Sequence, residues 1–575
     1  MPASAHITNL VDRGEYRKAI PLIEQALRRA PDDLDLIALM SFVLFRAHEL
    51  VRAEHFARRT LDKLPNHPHA QHNLGNILAQ LGRHDEALPF LTRALELAPR
   101  EPSIRAALAT SLSCLNRPSS AAALLREGLT LDPHNTVLRT NLAHALHAVG
   151  RIEQALPLLR ELLPAHAGDS AFLDAYCGVL NYAPGVSRAE IFEAHRAWGR
   201  LVESVVPAPH VFTRPFRKPG EKLHVGLLSS DLREHAVGYL IEDLLQHADR
   251  SRVTISCYTG GAKEDAAMVR LRGLADRWMS VANRSYADAA ALIRAERVHC
   301  LIDLAGHTKG QMLQVFTHRA APVQLTYTGY PNTTGLKDCD YRVVDSLTDP
   351  RGGEAFHTEK LLYLDPCYMS YRPPADLPGV TPRDPAAPLT FGSFSSLLKY
   401  NEPLIALWSR VLGAVPRARL VLMHTALNDP GVREDLRGRF AAHGIDPARI
   451  DPRPPAPSRL GVFTAAAEVD IALDTFPYNG AVTIVESLLM GVPYISRVGE
   501  TSASRAGLSI LSSVGLPELC ARTDEEFVQA GVALANDPAR LGELRATLRQ
   551  RVLASPICRG QSFAARFIEA LESTL

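Results

Sequence analysis

Apolar and small residues follow two regimes along the chain. Up to about residue 185 they recur with a fixed period: Ala19, Ala53, Ala87, Ala121 and Ala155 lie 34 residues apart, as do Pro31, Pro65, Pro99 and Pro133. The pairs Leu74-Gly75, Leu108-Ala109 and Leu142-Ala143 hold a second register, and Gly14, Gly82 and Gly150 a third, with His48 and Asn116 filling its gaps. Independent positions agreeing on one period predict two antiparallel helices per copy, such as 69–81 followed by 85–97. Small residues let the helices approach closely, and the proline ends the second one. A lone hairpin of this kind cannot bury its apolar face, so the copies must stack into a solenoid over roughly 5–185. Alanine at 167, where proline is expected, marks a capping unit or the join to the next domain.

After about residue 220, short apolar runs alternate with amphipathic helical stretches, the pattern of βα units around parallel sheets. Strands are predicted at 223–228, 253–258, 298–304, 323–327, 389–392, 419–424, 470–474 and 493–497. The proline-rich stretch between the fourth and fifth suits neither a helix interior nor a central strand, so it is read as a linker between two lobes. The expected organisation is a helical repeat domain over 1–185 and a connecting helical segment over 186–220. An α/β lobe over 221–372, a linker over 373–388 and a second α/β lobe over 389–575 follow. Two doubly wound lobes place a ligand at the strand C-terminal ends, facing the cleft.

Composition narrows the chemistry. The 575 residues carry 63 Lys+Arg against 62 Asp+Glu, a balance that argues against nucleic acid or an anionic membrane as the main partner. None of the eight cysteines forms a CxxC pair, as expected of free thiols in a reducing compartment. The N-terminus lacks an apolar signal core and no run approaches 18 apolar residues, so a soluble, cytoplasmic protein is expected. No GxGxxG or GxxxxGKS opens either lobe, which disfavours a dinucleotide oxidoreductase or a P-loop ATPase.

Three segments at strand ends carry candidate chemistry. In 474–493 a strand gives way to an Asn479-Gly480 turn and a helix over 481–490, stopped by Gly491 and Pro493. The helix start, with Val482 and the Thr483 hydroxyl, forms an anion site suited to a diphosphate, and Glu486 is placed to accept from a ribose diol. In 389–403 a Gly/Ser loop containing Ser396 leads to Lys399, which can neutralise a departing diphosphate. In 224–240, His235 sits at a helix start, where its imidazole stays neutral and can orient an acceptor or take its proton. His307 is a further cleft candidate, while His299 is expected in the core. Asp338-Cys339-Asp340 matches a DxD metal pattern but is read as structural. His67, His69 and His72 are read as solvated helix-start residues rather than metal ligands. Asn73 and Asn141 share one repeat register, where their amides can hold an extended peptide, although Ala107 breaks the ladder.

The repeats resemble the tetratricopeptide repeat (TPR) family. The whole chain resembles the O-GlcNAc transferase and SPINDLY family of protein O-glycosyltransferases. The resemblance is carried by SSDLREH, LAGHTKG, RAAPVQLTYTGYPNTTG, DYRVVDSLTDP, TFGSFSSLLK, DIALDTFPYNG, ESLLMGVP, GETSASR and SPICRGQSF. It implies a TPR superhelix followed by two Rossmann-like lobes of GT-B type. It also implies metal-independent, inverting sugar transfer from a nucleotide donor to Ser/Thr of protein acceptors, with no cofactor beyond that co-substrate. The family's essential lysine falls on Lys399, its cleft histidine on His235, its phosphate-facing threonine on Thr483 and its ribose acid on Glu486. Glu486, with GYPNTTG and ESLLMGVP, is closer to plant SPINDLY, which uses GDP-fucose; GETSASR is similar to the UDP-GlcNAc enzymes. Ser396 stands where the family commonly has a polar amide. UDP-GlcNAc is the expected donor, with GDP-fucose transfer or an inactive TPR scaffold as alternatives. The donor site is expected to comprise Ser396, Asn479, Gly480, Val482, Thr483 and Glu486, and the TPR groove to take the acceptor through Asn73 and Asn141.

Overall fold

The computed structural model describes residues 2–206, 208–213, 216–261, 264–384, 386–456 and 458–575. The chain divides into two compact units, Met1–Leu162 with Thr425–Glu434, and Leu163–His424 with Asp435–Leu575.

In the first unit, helix pairs run from Pro2–Asp12 to Ile152–Leu162 among the described residues. The period expresses packing: Ala19, Ala53, Ala87, Ala121 and Ala155 are all 0 % exposed. A Cβ on Gly75 would stand 2.6 Å from the Leu91 side chain, so the helices of that pair touch where the small residue lies. The third register is conformational: Gly14, His48, Gly82, Asn116 and Gly150 all have φ between 56° and 76°. Glycine meets that left-handed requirement without strain, while asparagine and histidine meet it at roughly 1 kcal/mol. The second helices end at Arg29, Lys63, Leu97 and Leu131, just before the periodic prolines.

The expected boundary at 185 falls earlier. Helices Ser170–Leu180 and Arg188–Ser204 belong to the second unit, where buried polar contacts hold them. The Tyr330 hydroxyl meets His195 Nε2 at 2.8 Å and accepts from Asn181 Nδ2 at 2.7 Å.

The second unit contains two parallel sheets. The first comprises β1 (Leu223–Leu228), β2 (Val253–Thr259), β3 (Arg277–Ser280), β4 (Cys300–Asp303), β5 (Val323–Thr326), β6 (Tyr341–Val344) and β7 (Lys360–Tyr363), in the order β3-β2-β1-β4-β5-β6-β7. The second comprises β8 (Thr390–Ser393), β9 (Arg419–Met423), β10 (Ile450–Arg453), β11 (Ile471–Leu473), β12 (Tyr494–Arg497) and β13 (Cys520–Ala521), in the order β10-β9-β8-β11-β12-β13. The order reverses between β1 and β4 and between β8 and β11, the switch points at which such sheets bind ligands. All eight expected strands form.

The second lobe does not keep its own C-terminus. Helix Gly560–Glu572 inserts Phe563, Phe567, Ile568 and Leu571 into the core of the first sheet, beside Leu223, Val225 and Ile241. The lobe expected over 389–575 therefore returns its last helix to its neighbour, because that helix has an apolar face which the first sheet covers. The described residues of the 373–388 linker form no helix or strand, with Pro385 outside them. The linker is held from the second lobe: Arg545 donates to Thr381 O at 2.7 Å and Arg549 to Pro378 O at 2.5 Å. No helix among the described residues is long and apolar enough to cross a membrane. Five of the eight cysteines (177, 257, 300, 339 and 367) are buried, none is in a disulfide, and Cys114 is exposed.

Because Phe567 is 1 % exposed inside the first lobe's core, Phe567→Ala is expected to cost about 3 kcal/mol. Denaturant unfolding of the full chain measures it; a loss under about 1 kcal/mol would place the helix outside that core.

Candidate active site

β8 and β11 are hydrogen-bonded neighbours, so the loops leaving their C-terminal ends lie side by side. After β8 the chain makes a short turn, Leu397–Lys399, before Asn401 caps helix Glu402–Ala414. Asn401 also donates to Phe476 O in the other loop at 2.7 Å. Lys399 crosses the same gap: its Nζ donates to Asn479 O at 2.6 Å and lies 4.1 Å from the centre of the Tyr478 ring. Burial pulls the ammonium's pKa down to about 8, and Asp474 opposes the shift.

Asp474, at the end of β11, organises the second loop. One carboxylate oxygen accepts from the amides of Thr475 and Gly480, both at 2.8 Å, and the other from Ser496 Oγ at 2.5 Å. Burial raises its pKa, and those hydrogen bonds together with Lys399 hold it down to about 6. The expected helix forms as Val482–Leu489, and Ala481 before it provides no side-chain cap. The amides of Ala481, Val482 and Thr483 have no acceptor among the described residues. Unsatisfied amides at a helix start form an anion site.

The expected donor residues divide into two kinds. A Cβ on Gly480 would stand 2.6 Å from Thr483 Oγ1 and 3.2 Å from the Tyr494 hydroxyl, so the turn passes only as glycine. The Gly480 amide is committed to Asp474, which makes the residue a shaper of the loop rather than a donor to a ligand. Asn479 is also internal: its side-chain amide donates to Thr475 O and Arg497 O and its main-chain amide to Ala503 O. The Val482 side chain is buried, leaving its amide as the useful group. Ser396 gives its carbonyl to the Lys399 amide at 3.0 Å. Thr483, half-buried with its hydroxyl against Gly480, stands in the same turn as Asn479, whose carbonyl Lys399 grips. Lys399 therefore reaches the loop that leads into the helix carrying Thr483.

Glu486 already has partners. Its Oε1 accepts from the Tyr371 hydroxyl at 2.7 Å and from Arg459 at 2.9 Å, and Arg459 also donates to the Tyr371 hydroxyl at 2.6 Å. The Arg459 guanidinium lies 3.5 Å from the centre of the Tyr239 ring, on the first lobe's helix Ala236–His247. Sequence reasoning missed this cluster. Tyr371 and Arg459 border proline-rich stretches, where no periodicity singles out a residue.

His235 caps that helix, as expected, and its Nδ1 accepts from the Val237 amide at 3.3 Å. The proton of the neutral ring then sits on Nε2, which presents a hydrogen-bond donor. Burial pushes the imidazole's pKa down, Asp231 opposes this and Arg233 adds to it. His307 is not a cleft residue. It is buried, with Nδ1 at 2.6 Å from Asp174 Oδ1 and Nε2 at 2.9 Å from Thr334 O, because the helices after the repeats cover it. His299 lies in the core, accepting from the His224 amide at 2.9 Å. Asp340 is locked by Arg319 and the Gln324 amide, each at 2.8 Å, so the Asp338–Asp340 run is structural in its contacts.

In the first unit, His67 caps helix Pro68–Gln80. Asn73 lines a hollow of about 210 Å³ with Asp35, Thr60 and His69. Asn141 turns its amide onto Val137 O of its own helix at 2.9 Å.

The loop after β11 and the β5–β6 side of the first sheet border a small cavity of about 60 Å³. Thr328, Arg342 and Asp349 line it from the first lobe, and Tyr478, Asn479 and Ser502 from the second. Thr328 Oγ1, Arg342 Nε, Asp349 Oδ2 and Asn479 Oδ1 are buried there without hydrogen-bond partners among the described residues. Such a wall suits a ligand rich in hydroxyls. Thr328 lies in RAAPVQLTYTGYPNTTG and Arg342 and Asp349 in DYRVVDSLTDP, segments that carry the resemblance but in which the sequence reading gave these residues no role.

Residues 188–370 and 381–567 match glycosyl transferase family 41, and residues 10–77, 66–134 and 115–176 match tetratricopeptide repeats. A protein of Arabidopsis thaliana described as a probable UDP-N-acetylglucosamine–peptide N-acetylglucosaminyltransferase SPINDLY is 34% identical over 391 residues, 67% of this chain and 43% of that relative. Its namesake in Oryza sativa subsp. japonica is 35% identical over 390 residues, 67% of this chain and 42% of the relative. This chain therefore spans less than half the length of these relatives. A solved mutant of Thermobaculum terrenum O-GlcNAc transferase superposes with a TM-score of 0.81 at 30% identity, covering 88% of this chain and 98% of that one.

With Lys399 losing its proton near pH 8, affinity for a nucleoside diphosphate is expected to fall about tenfold between pH 7 and pH 9. The sign follows from the cation being the binding form and disappearing as pH rises. Calorimetric titration with UDP and GDP tests it, and in Lys399→Met affinity should be weak at both pH values without that fall.

Proposed function

The chain belongs to glycosyl transferase family 41, and on that basis we propose that it is a protein O-glycosyltransferase. It moves GlcNAc from UDP-GlcNAc to Ser or Thr hydroxyls with inversion. The observation that carries this reading is the Lys399 ammonium held on the Asn479 carbonyl, in the loop that leads into the Ala481–Thr483 amides. The acceptor oxygen attacks the anomeric carbon from the face opposite the diphosphate, the bond from that carbon to the diphosphate oxygen breaks, and the hydroxyl proton passes to an oxygen of the departing diphosphate. The developing charge is met by Lys399, the helix amides and the Thr483 hydroxyl, which are fixed before the reaction. This charge stabilisation is supplied by the chain itself, without a metal.

Glu486 receives the ribose diol once Tyr371 and Arg459 yield. The polar cavity beside Asn479 takes the sugar hydroxyls. His235, with Nδ1 engaged by Val237, orients the acceptor through Nε2–H rather than serving as its base. The repeats hold an extended acceptor segment along the register of Asn73 and Asn141.

A second reading keeps this chemistry and changes the donor to GDP-fucose; Glu486 at the ribose position favours it. Thermal stabilisation by UDP against GDP separates the two, since a nucleotide at a hundred times its Kd adds about 2.7 kcal/mol.

Lys399→Ala is expected to lower turnover at least about a thousandfold while the unfolding midpoint stays close to that of the parent. Near-normal turnover would refute the assignment. Absence of transfer by the parent from any nucleotide sugar, in a lysate of acceptor proteins, would reduce the chain to a repeat scaffold.

A further inference from the structure

The run 499–505 contributes to the family resemblance and gives the site above only Ser502 and Ala503. It lines a hollow of about 400 Å³, within the size range of small-molecule sites. Arg188, Arg497, Arg505 and Arg522 converge on its wall, against a single acid, Glu500. Phe476 gives it an apolar side.

The arginines are held mainly by neutral groups. Arg505 donates to Leu347 O at 2.7 Å and to Gly499 O at 3.1 Å. Arg188 stacks 4.5 Å from the centre of the Phe356 ring and donates to Gly353 O. Arg497 lies 5.1 Å from the centre of the Phe476 ring and alone has an ion pair, with Asp524 at 3.1 Å. Arg522 is exposed, and its guanidinium makes no ion pair or hydrogen bond among the described residues. Burial lowers the pKa of Arg505, and the charges of Arg522 and Arg188 lower it further, with Asp349 opposing. Glu500 lines the hollow, Asp524 pairs with Arg497, and the charges of Asp349 and Asp345 act on Arg505, but the guanidiniums of Arg188, Arg505 and Arg522 make no ion pair among the described residues, which leaves donors for an anion. Planar guanidiniums suit a carboxylate or phosphate.

The hollow lies near the transfer site. Arg188 and Thr501 also line a narrow gap with Asp349 and Ser502, and those two residues line the cavity beside Asn479. We propose that the hollow binds an acidic side chain, carboxylate or phosphorylated, of the protein acceptor, near the hydroxyl that receives the sugar. This rests on the reading of the chain as a protein-modifying transferase.

Fluorescence anisotropy of labelled serine peptides, flanked by a glutamate tract or by the matching glutamine tract, tests the proposal with the full chain and no nucleotide sugar. The acidic peptide is expected to bind at least fivefold more tightly. Arg522→Glu should abolish that preference, and inorganic phosphate should compete with the acidic peptide. Equal binding of the two peptides overturns the proposal, as does a preference that survives Arg522→Glu together with Arg188→Ala. Thermal stabilisation of the parent by phosphate, with the peptides still indistinguishable, also overturns it by marking a free-anion site. Because no donor is present, a preference for the acidic peptide in a protein that transfers no sugar would sink the transferase reading and leave this one standing.

Discussion

The buried carboxylate of Asp474 is the constraint on which the site depends. Placed at the end of a central strand, it must collect hydrogen bonds or become unaffordable to desolvate. It collects them from Thr475, Gly480 and Ser496, and thereby folds the 475–480 loop back on itself. The folded loop turns the Asn479 carbonyl towards Lys399 and leaves the following amides without acceptors. Lys399 is drawn into a poorly solvated place by that carbonyl, the Tyr478 face and the Asp474 charge. The protein thus keeps a cation near its deprotonation point beside unsatisfied donors. That arrangement suits the diphosphate of the proposed function, which offers acceptors to both the cation and the amides.

Features governed by local rules were legible in the sequence. The 34-residue period reports buried alanines, left-handed turns and helix-ending prolines, each a local consequence of residue size or backbone freedom. Central strands such as β1 and β4 read as apolar runs because both faces are covered. The five strands that were missed lack that signature. β3 and β7 are sheet edges with exposed positions, β6 interrupts its apolar run with Arg342, β10 includes Pro452, and β13 has two residues. The crossing of helix Gly560–Glu572 into the first lobe was invisible for another reason. An apolar helix face announces that it will be covered, not by which sheet.

The same division runs through the site. The positions of Lys399, Thr483 and His235 were legible because each lies at a strand end or helix start, and Glu486 because it follows one turn later in the same helix. Gly480 and Asn479 were legible as a turn, but their commitment to Asp474 and to internal carbonyls is a tertiary fact. His307 misled for the converse reason: it follows a strand as a cleft residue would, yet Asp174, distant in sequence, claims its Nδ1. Arg459, Tyr371 and Tyr239 come from three segments with no shared pattern, and only the fold brings them to Glu486.

That last cluster shapes how a donor must enter. One oxygen of Glu486 carries both the Tyr371 and the Arg459 bonds, and Arg459 also rests on Tyr239 of the opposite lobe. Burial and the Glu486 charge drive the Tyr371 hydroxyl far above its ordinary pKa, so it remains a protonated donor. A ribose diol offers the carboxylate two hydroxyls in exchange for a hydroxyl and a guanidinium hydrogen bond, so the exchange is nearly even at Glu486 itself. On the proposed function the gain comes from the diphosphate end, where the Ala481–Thr483 amides have no acceptor among the described residues and Lys399 has only the Asn479 carbonyl. Donor affinity should therefore reside mainly in the phosphates, while the ribose contact sets register and loosens a tie between the lobes.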